Sequence, residues 1–130
     1  MKLANVLTTL AVVAVVALTG CGGSKAAATH DSAALRASVE GYSAAYLSGD
    51  GAGAWRLLSS RCRTRISEGE MLRMTPLAAK MYGDQSIETL KIVSLSGNMA
   101  RVTYTFQKAE LTQSRQPWVK EGGQWLKDNC

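Results

Sequence analysis

Histidine is almost absent: the 130 residues contain one, His30. A single imidazole, placed ahead of the part of the chain that reads as folded, assembles no Ser-His pair and no histidine metal cluster, which excludes many hydrolases. Long apolar runs are lacking too. The uninterrupted stretch Leu10–Leu18 has nine residues, against the ~20 that a bilayer-spanning helix needs. Gly49, Gly51 and Gly53 precede a helical segment, but no Walker lysine follows them, so they read as a turn between helices rather than a phosphate loop. Cysteine is sparse, and no second cysteine or histidine stands near Cys62 or Cys130, which argues against a metal site. Nor does charge of one sign dominate. A net +5 is too small a balance to imply nucleic acid without a clustered basic footprint.

What the N-terminus does contain is a leader. Lys2 gives a positive start, an apolar stretch runs from Leu3 to Leu18, and Leu18-Thr19-Gly20-Cys21 closes it with small residues. These four residues resemble the bacterial lipobox, in which the cysteine thiol is alkylated with diacylglycerol before the leader is cut away. The resemblance implies a signal peptide over 1–20, lipid on Cys21, and a flexible tether over 21–30, where Gly22-Gly23-Ser24 and the residues after it are small and unpatterned. Two acyl chains, at ~0.8 kcal/mol per buried methylene, would hold the protein stably on the extracytoplasmic face of the cell membrane. The alternative is an ordinary signal peptide that happens to contain a cysteine.

With Cys21 assigned to lipid, Cys62 and Cys130 form an even pair in an oxidising compartment and are expected to be disulfide-bonded. A loop of 68 residues closed in this way stabilises a domain by about 4 kcal/mol in the chain-entropy treatment. The other reading is a reactive thiol. Residues 31–130 are enough for one small domain, and a domain of that size gains noticeably from a staple.

Asp31 and Ser32 can cap a first helix, along which Leu35, Val39, Tyr42 and Tyr46 recur at helical spacing up to Gly49-Asp50-Gly51. A second helix is expected over roughly 52–60. A third opens on the Ser67-x-x-Glu70 capping box and ends near Gly83, with Pro76 expected to break or kink it. Beyond Gly83 the period becomes alternating. Taking Gly97-Asn98 as a hairpin loop sets Ala100 opposite Leu95 and Val102 opposite Val93, so one face carries Ile87, Val93, Leu95, Val102, Tyr104 and Phe106. A second hairpin around Gly122-Gly123 sets Trp118 against Lys127 and Trp125 against Lys120, all four on one face, either as exposed cation-π pairs or with both indoles in the core.

Helices followed by two antiparallel hairpins argue an α+β domain with helices packed on one curved sheet. Tyr42-x-x-x-Tyr46-x-x-Gly49-Asp50, running into Trp55-x-Leu57-Leu58-x-x-x-Cys62, and the closing Gln116-Pro117-Trp118-Val119-Lys120-Glu121-Gly122-Gly123-Gln124-Trp125 resemble the nuclear transport factor 2-like superfamily. The chain is most similar to its short actinobacterial lipoproteins, which end on a late cysteine. The resemblance covers 31–130 and implies a cystatin-like cone whose helices and sheet enclose a pocket. Superfamily members include ketosteroid isomerases as well as many non-catalytic binding domains.

Isomerases of this kind use carboxylates inside the cone. In the register above no acidic residue joins the apolar strand face, and a slip of one residue would be needed to turn Glu88, Arg101 and Gln107 inward. Tyr42, Tyr46, Tyr104 and Phe106 are the candidate pocket lining, although aromatics at helical spacing also serve as plain core. Arg56, Arg61, Arg63 and Arg65 either face anionic headgroups or form a solvated connection. The expectation is a membrane-anchored, non-enzymatic module, without cofactor or nucleic acid, that binds a small apolar ligand or an envelope protein. The alternative is an isomerase or lyase of the same fold acting on a small hydrophobic substrate.

Overall fold

Alanine carries the first helix further toward the N-terminus than its capping residues imply. In a computed structural model, which describes residues 23–130, α1 spans Gly23–Ser48. Its first turns hold Ala26-Ala27-Ala28, the best helix formers, at solvent-exposed positions. The expected start at Asp31 is therefore corrected to Gly23, and residues 23–30 are helical. The leader and Cys21 lie outside the described residues.

The helix ends at Gly49, whose φ of 88° a residue with a side chain rarely adopts. Asp50 then caps α2, Gly51–Arg56, by accepting a hydrogen bond from Gly53 N at 2.8 Å. The single second helix expected over 52–60 is two: α2, then α3 over Ser60–Arg63. Leu58, between them, makes a parallel bridge with Lys127, and that backbone pairing interrupts the helix. Ser59 caps α3, accepting from Cys62 N at 3.1 Å.

The capping box of Ser67 and Glu70 opens α4, Glu68–Tyr82. Pro76 neither breaks nor ends it, contrary to the expected interruption. Met71, Thr75 and Ala78 are buried, while Pro76 is exposed and the helix continues past it. Gly51 of α2 crosses α4 so closely that a Cβ there would lie 2.7 Å from the Leu72 Cα, a contact only glycine permits. The outer face of α4 exposes Leu72, Met74, Leu77 and Met81. Among the described residues no helix is long and apolar enough to cross a membrane.

Four antiparallel strands follow as a meander in the order β1-β2-β3-β4: Ile87–Ser96, Met99–Phe106, Gln113–Glu121 and Gln124–Lys127, with a 3₁₀ turn at Ala109–Leu111 before the third. The protein is thus α+β, helices first and one open sheet after. Next to the Gly97-Asn98 turn, Leu95 faces Ala100 as expected. Further along, Val102 faces Ile92 rather than Val93, because a bulge between Ile92 and Ser94 inserts one residue and reverses the alternation. Val93 therefore leaves the buried face, and Leu90, opposite Tyr104, and Ile92 join it. The second hairpin has the expected register, Trp118 with Lys127 and Lys120 with Trp125. Both indoles are core, at 2% and 1% exposure. They pack with Leu35, Val39 and Leu47 of α1 and with Val102, Tyr104 and Phe106 of β2.

Cys62 and Cys130 are joined in this structure, their Cα atoms 5.5 Å apart, which ties α3 to the chain just beyond β4. The same junction carries polar contacts. Asp128 accepts from Ser59 Oγ at 2.6 Å and from Arg61 Nε at 3.1 Å.

Candidate functional site

The register of the second hairpin determines what reaches the interior. Gly122 and Gly123, both at positive φ, turn β3 into β4 so that Lys127 shares the buried face with Trp118. The lysine backbone is held from its other side as well. Its N–H donates to Leu57 O at 2.8 Å, and its carbonyl accepts from Ser59 N at 2.9 Å. Fixed in this way, the side chain extends beneath α1 and is 6% exposed.

A cavity of about 120 Å³ opens beside it. Tyr42, Ser43, Tyr46 and Leu47 of α1 form one wall, Tyr104 and Phe106 of β2 another, and Leu111, Gln113 and Lys127 complete the lining. The structure therefore brings together all four aromatic residues singled out from the sequence. Tyr42 stacks on Tyr46 with ring centres 5.9 Å apart and meets Trp118 edge-on at 6.2 Å. Tyr104 stands edge-on to Phe106 at 5.9 Å.

Lys127 is the residue sequence reasoning missed. An inward face limited to apolar groups and Tyr104 is corrected: it also holds an amine. The Nζ donates to Gln116 Oε1 at 3.3 Å and to Tyr104 Oη at 3.5 Å, and it lies 5.1 Å from the ring centre of Tyr42 and 5.9 Å from that of Trp118. Among the described residues no carboxylate pairs with it. Asp128, next in sequence, is drawn outward by Ser59 and Arg61. Lys120, two strand positions from Trp118 on the same face, shows the contrast: it meets Asp31 at 2.6 Å. The signal was available, since any residue opposite a core Trp118 is itself inward.

Burial without a counter-charge favours the neutral amine and brings the Lys127 pKa down to about 8. The phenols move the other way. Burial, and then proximity to Tyr104 and Tyr46, pushes Tyr42 well above its ordinary value, and burial does the same to Tyr104 against the opposing Ser43 hydroxyl. Tyr46 is also raised by burial. Near neutral pH the cavity thus presents neutral hydroxyls and one amine whose charge is easily changed. Such an amine can hold an anion or accept a proton.

Glu88, Arg101, Gln107 and Asp84 are all exposed, so the slip that would have turned a carboxylate inward does not occur. Three larger hollows, about 310 Å³ beside Asp84–Ser86, about 220 Å³ beside Glu40 and Gln85–Ile87, and about 380 Å³ along the first three strands, contain no buried ionisable side chain. Of the arginines, Arg61 pairs with Asp128, Arg63 lies 5.5 Å from the ring centre of Trp55, and Arg65 reaches Cys130 O at 3.5 Å. Three of the four thus make contacts within the domain. The described residues hold no group of three potential metal ligands.

Fold and cavity together define a class: a small α+β domain with an aromatic, amine-bearing cavity between its long helix and its sheet. No protein-family model and no curated protein matches the chain.

Proposed function

We propose that the chain is an exported lipoprotein, anchored through Cys21 on the extracytoplasmic face of the cell membrane, whose domain is a nuclear transport factor 2-like cone that binds a small ligand. The observation that carries the binding reading is the cavity formed by Tyr42, Tyr46, Tyr104, Phe106 and Lys127. Its volume of about 120 Å³ is below the ~300 Å³ at which drug-sized sites begin, so the ligand is a molecule of few heavy atoms. Binding is preferred to turnover because Lys127 has no carboxylate or imidazole beside it; a proton it accepted would meet only phenols that burial keeps neutral. The anchoring reading rests on the leader and on the Leu18 to Cys21 box.

Each half has its own measurement. Mass spectrometry of the membrane fraction is expected to find a chain that begins at an acylated Cys21; a soluble form beginning elsewhere defeats the anchor. Trp118 touches Tyr42 of the cavity wall, so its fluorescence is expected to change saturably when small organic molecules are titrated in. No response across a panel of neutral and anionic compounds would shift the reading to a protein partner.

A further inference from the structure

Lys127 is the one buried lysine among the described residues, and its amine has no counter-charge there. The groups that face its Nζ come from three elements and are all uncharged near neutral pH: Tyr42 on α1, Tyr104 on β2, Trp118 and Gln116 on β3. The Leu57–Ser59 segment that pins its backbone brings no charge either. Gln116 Oε1 is shared, since Asn129 Nδ2 also donates to it. Two of the three ammonium protons have protein acceptors, and the third remains for a group in the cavity.

We propose that the cavity takes a small monocarboxylic acid, its carboxylate on the Lys127 amine and its short carbon chain against Tyr46, Phe106 and Leu111. This rests on the ligand-binding reading above and specifies its substrate class. A carboxylate supplies the counter-charge that the fold withholds, and inside a cavity walled by aromatic rings such an ion pair is far stronger than in water. The apolar wall favours a ligand with a hydrocarbon body over a bare inorganic anion. The volume restricts that body to a few carbons, because a dry cavity of ~150 Å³ is already filled by benzene. The neutral phenol of Tyr104, beside Nζ, is a second donor for the same carboxylate.

The test is calorimetric titration of the purified full-length protein in detergent with acetate, propionate and butyrate, and with 1-butanol as the neutral counterpart, at constant ionic strength. Butyrate is expected to bind at least about tenfold more tightly than butanol, as removal of a charge-assisted hydrogen bond implies. Its affinity is expected to be flat below the Lys127 pKa of about 8 and to fall about tenfold per pH unit above it, since only the protonated amine pairs with the anion. Lys127→Met is expected to lose butyrate binding while its thermal midpoint near neutral pH rises rather than falls; should that variant fail to fold, the wild-type pH profile decides alone. Equal, pH-independent binding of butanol and butyrate overturns the carboxylate proposal and leaves the small-ligand reading standing. Absence of saturable binding by any of the four overturns both.

Discussion

Protein carrying Cys62→Ala together with Cys130→Ala is expected to unfold with about 4 kcal/mol less free energy than the wild type, the value for releasing a loop of 68 residues in the denatured chain. Against a net stability of ~5 to 15 kcal/mol for a domain of this kind, that loss is a large share of the whole. At ~4 to 8 °C per kcal/mol for a chain near a hundred residues, the thermal midpoint falls by some 15 to 30 °C. The native side of the balance changes less, because Ser59 and Arg61 still hold Asp128 after the sulfurs are gone. Denaturant midpoints of the two proteins, measured in parallel without reductant, check this. Coincident midpoints, or free thiols at both positions in wild-type protein isolated without reductant, would contradict the bridge.

The ligand-free domain is expected to become more stable, not less, as pH rises from about 8 toward 10.5, through the Lys127 amine. Its folded pKa lies below its unfolded value of 10.5, so the unfolded chain binds the extra proton throughout that window. Below the folded pKa both states are protonated, and the folded protein bears the full cost of a buried, unpaired ammonium. Above 10.5 both are neutral and the cost is gone. The difference of about 2.5 pKa units corresponds to about 3 kcal/mol, and no discount for solvent is needed at 6% exposure. The decisive quantity is the difference between wild type and Lys127→Met. That variant is expected to be the more stable at pH 7, with an advantage that shrinks toward zero by pH 10.5. Tyr42 and Tyr104, held above their ordinary value of 10.0, keep their protons in the folded state while the unfolded chain loses them near pH 10, which opposes the rise at the alkaline end in wild type and in Lys127→Met alike. Parallel profiles for the two proteins would mean that the amine is solvated in the folded state.

How much of this could be read from the sequence depended on whether local chemistry or a distant contact made the decision. The capping box at Ser67 and Glu70 and the glycine turns at 97 and 122–123 are local, and the elements they delimit were legible, down to the pairing of Trp118 with Lys127. The bulge at Val93 was not, because Ile92 and Val93 are both β-branched and apolar and nothing in their order says which one faces in. Leu57-Leu58-Ser59 fits a helix by composition and is withdrawn from it by a bridge to a residue nearly seventy positions away. Within the site, the tyrosine stripe of α1 was visible through its spacing. Lys127 was hidden by the general rule that lysine belongs outside, although its register put it inside.

The pairing of Leu58 with Lys127 also changes what the sheet offers its surroundings. In the order β1-β2-β3-β4 the terminal strands would each present a row of unpaired amides and carbonyls, the template on which proteins polymerise edge to edge. The segment around Leu58 takes up the end of that row, at Lys127, the last residue of β4. On β1 two irregularities bend the strand, Glu88 and Lys91 place charge along it, and Arg36 reaches across from α1 to the Leu90 carbonyl at 3.0 Å. Copies of this domain crowded together at high local density would thus find a short margin blocked at one end and a contorted, charged margin, both poor templates for the hairpins of the next molecule.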